Sequence, residues 1–169
     1  INTIKKLKKL RMHELVMLTG DNRKTASAIA QKIDLDFRAE LLPEDKVASI
    51  KALRKKYGVV AMVGDGVNDA PVLAASDVGI AMGARGSTAA SESADAVIVL
   101  DDISRVVIFR EIAQRTMRIA LQSVWTGIIL CIILEIIAAF GLIPAIIGAG
   151  LQELIEVTVI FNALRALKD

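Results

Sequence analysis

Five apolar residues, Val59 to Val63, run without a break into Gly64-Asp65-Gly66-Val67-Asn68-Asp69-Ala70-Pro71. An uninterrupted apolar run of that length fits a parallel strand buried on both faces, and open α/β sheets hold their ligands beyond the carboxyl ends of such strands. A second run, Leu15 to Leu18, ends in Thr19-Gly20-Asp21-Asn22, and the helical spacing that follows puts Ala26, Ile29, Ala30 and Ile33 on one face. Leu42-Pro43-Glu44-Asp45-Lys46 opens another helix, with Pro43 in its first turn, Val47, Ile50 and Leu53 spaced for burial, and a stop at Tyr57-Gly58. Beyond the Asp65 corner the pattern predicts a short helix from Asn68 to Ala75, a strand near Val78 to Met82, a small helix after a Gly-Ser-Thr turn, and a strand at Ala96 to Leu100. Strand and helix alternate throughout, which predicts an α/β fold: a Rossmann-like parallel sheet with right-handed crossovers and helices on both faces.

The pattern then changes character. Val124 to Phe140 is mostly apolar, and Leu142 to Leu164 is a longer apolar stretch broken by Gly148 and Gly150, with Gly141 and Pro144 at the turn between them. Each stretch is long enough to cross a bilayer. Two buried core helices of a soluble protein are the alternative, but Ile128 to Ile137 is apolar nearly all round, which suits lipid better. Residues 1–118 carry nearly all the charge, while Val124 to Leu164 holds only Glu135, Glu153 and Glu156 among ionisable side chains. The expected organisation is therefore a partial cytoplasmic domain over 1–118 and a hairpin of two transmembrane helices over 119–169, with spans at about 121–140 and 142–165. Arg115 and Arg118 precede the first span and Arg165 and Lys168 follow the second, so the positive-inside rule puts both ends in the cytoplasm. A helix starting near Ser104 is expected to continue into the first span, and Trp125 suits an interfacial anchor.

A net charge of +2 is too small to argue for nucleic acid, and none is expected as a partner. The cluster Lys5, Lys6, Lys8, Lys9 and Arg11 reads as the solvated face of a helix. One cysteine, Cys131, excludes an internal disulfide. Ile1 is not an initiator methionine and the chain opens in mid-pattern, which is expected of a piece of a longer protein.

Asp65 and Asp69 fall at a strand end four positions apart. Neighbouring carboxylates repel, so a loop that holds two of them calls for a cation, a basic partner or water. Gly64 and Gly66 allow a sharp turn and let backbone N–H groups approach an anion closely. The plainer reading is an Asp-Gly, Asn-Asp turn between strand and helix. Dinucleotide and P-loop readings fail, since the third glycine of the former is missing and no G-x-x-x-x-G-K occurs. Gly83 to Thr88 could touch phosphate or simply turn the chain into a helix.

MLTGDN (17–22), PEDK (43–46) and MVGDGVNDAP (62–71) stand in that order, and LAASDVGIAMG (73–83) follows. Together they resemble the phosphorylation domain of P-type ATPases, within the haloacid dehalogenase superfamily. The resemblance implies a partial haloacid dehalogenase-type sheet followed by the last two membrane helices of an ATP-driven pump. In such pumps an aspartate in a DKTGT motif attacks ATP and forms an aspartyl-phosphate. DKTGT does not occur in this sequence, so the segment is not expected to be active alone and its partner would be the missing N-terminal part of the same pump. By resemblance Asp65 is a Mg²⁺ ligand, Asp69 orients the metal's surroundings, Asn68 contacts the phosphoryl group and Lys46 neutralises its charge. Thr19 donates its hydroxyl to the same phosphate, while Gly20 and Asp21 shape the loop and reach toward ATP. Taken alone, Lys46 is an ordinary helix-surface lysine.

Acidic residues within a span need a reason, since each costs a few kcal/mol or so at a helix centre. Gln152, Glu153 and Glu156 can share one helix face and are candidate ligands for a transported metal cation, with Glu135 able to join them; a structural polar cluster at the membrane boundary is the alternative. Cys131 suits packing better than ligation. FNALRAL (161–167) resembles the end of the last span in the heavy-metal subgroup, and QELIE (152–156) is similar to a Gln-Glu-x-x-Asp variant with Glu156 in place of Asp. Oxygen-rich ligands disfavour Cu⁺ and leave Fe²⁺, Ni²⁺, Co²⁺, Zn²⁺ or Mn²⁺ open. The expected location is the prokaryotic plasma membrane, with the phosphorylation domain in the cytoplasm. A soluble haloacid dehalogenase-type phosphatase and a non-catalytic membrane subunit that binds Mg²⁺ and phosphate are the competing readings.

Overall fold

The computed structural model describes residues 2–10, 12–65, 67–83 and 88–167. The chain divides into two compact units, 1–108 and 109–169.

The first unit has the expected α/β alternation. α1 (Asn2–Lys9) buries Ile4 and Leu7 and leaves its lysines in solvent. β1 (Val16–Leu18) leads through the Thr19 turn to α2 (Arg23–Ile33), where the Asn22 side chain caps the helix by accepting from the Thr25 N–H at 2.9 Å. The helix stops at Asp34, which takes a left-handed conformation with φ of 57°. A hydrogen bond from Lys8 together with its charge holds the Asp34 carboxyl below the usual carboxylate range. β2 (Asp36–Arg38) is a strand that the apolar pattern does not announce; it pairs in parallel with β1, Val16 opposite Asp36 and Leu18 opposite Arg38.

α3 (Pro43–Tyr57) opens with Pro43 and with Asp45, which accepts from the Leu42 N–H at 3.0 Å. Glu44 and Asp45 sit at its positive end and Arg54, Lys55 and Lys56 at its negative end, as the helix dipole favours. Gly58, with φ of 86°, ends it. β3 (Ala61–Gly64) follows, then a 3-10 turn over Val67–Asp69, α4 (Ala70–Ala75), β4 (Val78–Met82), α5 (Thr88–Ser93) and β5 (Ala96–Ile98). β4 is central, parallel to β3 on one side and β5 on the other, and its Gly79, Ile80 and Ala81 are buried. α4 lies close enough on this strand that a Cβ at Gly79 would come within 3.0 Å of the Leu73 carbonyl oxygen. Leu73, Ala81 and Ala90 form the core there, with Met62 and Ala94 packed against it. The five strands form two parallel ladders, β1-β2 and β3-β4-β5, where the alternation alone predicts one sheet; among the described residues β1 and β3 each pair on one side only.

α6 (Ser104–Ala139) begins where Asp102 accepts from both the backbone and the hydroxyl of Ser104, bonds that lower the Asp102 pKa. Gly141, with φ of 70°, turns the chain, and Pro144 leads into α7 (Ala145–Ala163), extended by a 3-10 turn over Leu164–Leu167. Both helices are long and apolar enough to cross a membrane, and within the second unit their large side chains are mostly exposed, as lipid- or helix-facing residues would be.

Candidate functional site

The sheet topology places two loops at the carboxyl ends of parallel strands. At the first, the Thr19 N–H donates to the Arg38 carbonyl at 3.0 Å, which ties the end of β1 to the end of β2. The loop then closes on itself: the Thr19 hydroxyl accepts from the Asp21 N–H at 3.1 Å and donates to the Asp21 carboxylate at 3.0 Å. The Leu41 N–H donates to the Thr19 carbonyl at 3.1 Å, one residue before Leu42, which precedes α3. A Cβ at Gly20 would approach the Leu41 carbonyl oxygen to 3.3 Å, so a residue without a side chain suits this crossing. By these bonds the Thr19 turn is held against the start of the helix that carries Lys46.

Lys46 lies in the first turns of α3 and reaches across to the second loop. Its Nζ donates to Asp69 Oδ1 at 2.7 Å, with the two side chains 18% and 12% exposed. At that depth a charge-assisted hydrogen bond is worth more than a surface ion pair, because water competes less for either partner. Asp69 is positioned by the 3-10 turn that follows β3, and it packs directly over Gly64. A Cβ on Gly64 would lie 2.9 Å from Asp69 Cβ and 3.1 Å from its Oδ2. The glycine expected to let backbone approach an anion thus makes room for a carboxylate of the same loop. Asp65 and Asn68 are exposed at the mouth of this corner. Gly66 and the Ala-Arg-Gly-Ser stretch from 84 to 87 lie outside the described residues, as does the side chain of Thr88.

The second unit is an antiparallel pair of helices with a consistent register. The Arg115 guanidinium donates to the Arg165 carbonyl at 3.3 Å, and Asn162 Nδ2 donates to Ser123 Oγ at 2.8 Å. Arg165 in turn donates to Asn162 Oδ1 at 3.0 Å. Gly127 faces Val159 closely enough that a Cβ would meet its Cγ2 at 3.2 Å, the close approach that small residues permit between membrane helices. Further along, a cavity of about 200 Å³ opens between the helices, lined on α6 by Cys131, Leu134, Glu135 and Ala138 and on α7 by Ala145, Gly148 and Gln152. The three candidate cation ligands on α7 are all exposed, and of them only Gln152 lines the cavity.

The family profile of haloacid dehalogenase-like hydrolases matches residues 1–77. A probable cadmium-transporting ATPase of Listeria monocytogenes is 37% identical over 99% of this chain and 24% of its own length. A manganese-exporting P-type ATPase of Mycobacterium tuberculosis is 37% identical over 96% of this chain and 23% of its own. A zinc-transporting PIB-type ATPase crystallised in its E2·Pi state superposes with a TM-score of 0.92 at 36% identity, over 99% of this chain and 27% of that one. The chain belongs to the heavy-metal P-type ATPases. It spans about a quarter of the length of the curated relatives it matches.

For a P-type ATPase segment, the donor set at the β3 corner fits Mg²⁺. This ion takes one or two carboxylates and fills its remaining positions with water and phosphate oxygen. Asp65 offers an exposed carboxylate, and Asp69 has one oxygen engaged by Lys46. Among the described residues no group of three or more His, Cys, Asp or Glu gathers that could hold a metal ion by itself. Two residues of this chain that its sequence does not single out also shape the two regions. Glu40, with φ of 59°, donates its N–H to the Asp21 carbonyl at 2.9 Å and so backs the Thr19 turn. Ser123 is only 4% exposed because Asn162 covers it from the other helix. No local pattern marks either one.

Proposed function

We propose that this chain is the C-terminal part of an ATP-driven pump for a divalent transition-metal cation. Its first unit supplies much of the phosphoryl-transfer site, and its helical hairpin crosses the plasma membrane with both ends in the cytoplasm. The acceptor aspartate comes from another part of the pump. The reading is carried by the ion pair between Lys46 and Asp69 at 2.7 Å, beside the exposed Asp65 and at the carboxyl ends of parallel strands.

Phosphoryl transfer gains mostly from positioning and from positive charge set against the phosphoryl oxygens. Lys46 brings an ammonium whose direction is set by Asp69, and Thr19, in a turn locked by Asp21 and backed by Leu41, would turn its single hydroxyl proton from the Asp21 carboxylate to a phosphoryl oxygen. Asn68, next to Asp69 in sequence and exposed, would contact the phosphoryl group, and Gly20 and Asp21, also exposed, would reach toward ATP. Asp65 and Asp69 would hold Mg²⁺, which supplies charge neutralisation of the transferring phosphate. Gln152, Glu153 and Glu156 are the candidate ligands of the transported cation; the names of the relatives, which transport cadmium, manganese and zinc, support a divalent ion.

The test is phosphoenzyme formation. The full-length pump containing this segment, incubated with ATP, Mg²⁺ and the candidate metal, is expected to form an acid-stable phosphoenzyme, and Asp65→Asn to lose it by at least a hundredfold. A pump that hydrolyses no ATP and forms no phosphoenzyme with any of these metals refutes the assignment.

A further inference from the structure

β3 and β4 lie side by side with little in their own side chains to say how they should align. Val59 to Val63 and Val78 to Met82 carry no polar side chain at any position. Register is specified where one face of a strand is apolar and the other polar, and a uniformly apolar pair can slide at little cost in burial. Each residue of slip moves a strand by about 3.3 Å, enough to part Lys46 Nζ from Asp69 Oδ1, which lie 2.7 Å apart. The site at the carboxyl end of β3 therefore calls for a stop elsewhere on the strand.

That stop is Asp77, at the opposite end. It stands just before β4, and it is bonded twice to Val60, just before β3: the Asp77 N–H donates to the Val60 carbonyl at 2.9 Å, and the Val60 N–H donates to Asp77 Oδ2 at 3.0 Å. The other carboxylate oxygen, Oδ1, pairs with the Arg54 guanidinium at 2.7 Å. Arg54 is in the last turn of α3, eight residues after Lys46, which is about 12 Å along the helix axis. α3 is thus fastened to the β3-β4 ladder at both ends, by Lys46 with Asp69 near its start and by Arg54 with Asp77 near its end. The same device recurs one strand over, where Asp95, just before β5, donates its N–H to the Gly79 carbonyl at 2.9 Å and accepts from the Gly79 N–H on Oδ2 at 2.8 Å. Asp95 aligns the strand farther from the site; Asp77 adds the link to α3.

Resting on the pump reading, we propose that Asp77 is a positioning residue for phosphoryl transfer: by clamping Val60 and Arg54 together it sets the register of β3 and the placement of α3, and so brings Lys46 onto Asp69 at the far end of both elements. The Arg54 side chain is 57% exposed and that of Asp77 18%. An ion pair open to water on one side adds little to overall stability, so its loss shows in the rate of the reaction more than in the melting curve.

The experiment is single-turnover phosphorylation of the full-length pump from ATP, in which the rate constant reports the geometry of the folded molecules and the amplitude reports how many of them there are. Asp77→Asn keeps an acceptor for the Val60 N–H but gives up the charge facing Arg54; it is expected to lower the rate constant three- to tenfold, with the ATP concentration for half-maximal rate within twofold of wild type. Arg54→Gln is expected to match it, Arg54→Lys to stay within twofold of wild type, and the double variant Asp77→Asn with Arg54→Gln to be no slower than either alone. Asp95→Asn, the comparison, is expected to keep the rate constant within twofold. Amide exchange read by mass spectrometry without nucleotide gives a second measure: in Asp77→Asn it is expected to quicken at least fivefold both at the Val60 end of β3 and in the first turn of α3. Should Asp77→Asn fail to fold, Arg54→Gln, at an exposed position, carries both measurements. An unchanged rate constant, a loss confined to the amplitude, an equal slowing in Asp95→Asn, or faster exchange at the Val60 end alone overturns the proposal. A wild-type pump that forms no phosphoenzyme refutes the pump reading instead, and the clamp then stands or falls on the amide exchange.

Discussion

Replacing Gly64 by alanine tests whether the Lys46–Asp69 pair depends on the backbone beneath it. The added methyl would lie 2.9 Å from Asp69 Cβ, 3.1 Å from Oδ2 and 3.3 Å from Cγ. Carbon atoms pack at roughly 3.5–4.0 Å, so the methyl intrudes by about 0.6–1.1 Å. Rotating the Asp69 carboxylate does not relieve this, because the nearest atom is its Cβ, which moves only with the 3-10 turn of Val67–Asp69. A shift of that turn away from Lys46 by that amount would stretch the contact from 2.7 Å to about 3.3–3.8 Å, where the hydrogen bond is weakened or lost. Overpacking of this kind costs about 1–3 kcal/mol of stability. Misplacing a group that positions a reacting phosphate by close to 1 Å costs about a hundredfold in rate. In the full-length pump, Gly64→Ala is therefore expected to lower the rate of phosphoenzyme formation from ATP by ten- to a hundredfold while the protein still inserts and folds, as judged by its elution as a single species and its melting curve. Gly58→Ala is the matched comparison: its Cβ meets nothing within 4 Å, its φ of 86° costs about 1 kcal/mol, and phosphorylation is expected to stay near wild type. Phosphorylation by Gly64→Ala within twofold of wild type would refute the claim that Asp69 needs this glycine.

Three further outcomes follow from the same geometry. Lys46→Ala leaves a largely buried carboxylate without its donor; a loss of about 1.5–3 kcal/mol is expected by thermal unfolding, with phosphoenzyme formation reduced at least a hundredfold, and normal phosphorylation would contradict the role of Lys46. Thr19→Val keeps the shape of the side chain but removes both hydrogen bonds to Asp21, so phosphorylation is expected to fall at least tenfold, whereas Thr19→Ser, which retains them, is expected to stay within fivefold of wild type. Asn162→Ala strips the buried Ser123 hydroxyl of its partner across the hairpin, and a loss of about 0.6 kcal/mol, and at most about 1.7, in unfolding from lipid micelles is expected, as for hydrogen bonds between membrane helices; an unchanged unfolding midpoint would count against the bridge.

What the sequence discloses of this molecule depends on whether the cause is local. The corners at Thr19 and Asp65 are legible because an apolar run, a glycine and a carboxylate occur within a few residues, and the same holds for the two long apolar helices. β2 is not legible: Asp36-Phe37-Arg38 has one apolar side chain, and its strand conformation is imposed by pairing with Val16–Leu18 across α2. Gly64 is an intermediate case. Its lack of a side chain correctly signals a close approach, but the group that approaches is Asp69, which the spacing alone does not specify. The membrane hairpin shows the opposite limit. Gln152, Glu153 and Glu156 can be grouped on paper because they are near neighbours in sequence, yet of the three only Gln152 lines the cavity between the helices, with Cys131 and Glu135 on its other wall. That choice depends on the register between α6 and α7, which is set by Ser123 with Asn162 and Gly127 with Val159, pairs separated by more than thirty residues in the chain. Which polar side chains meet across two helices is therefore decided by packing residues elsewhere along them. Shifting that register by one residue would turn Glu135 about 100° away from Gln152 without altering either side chain.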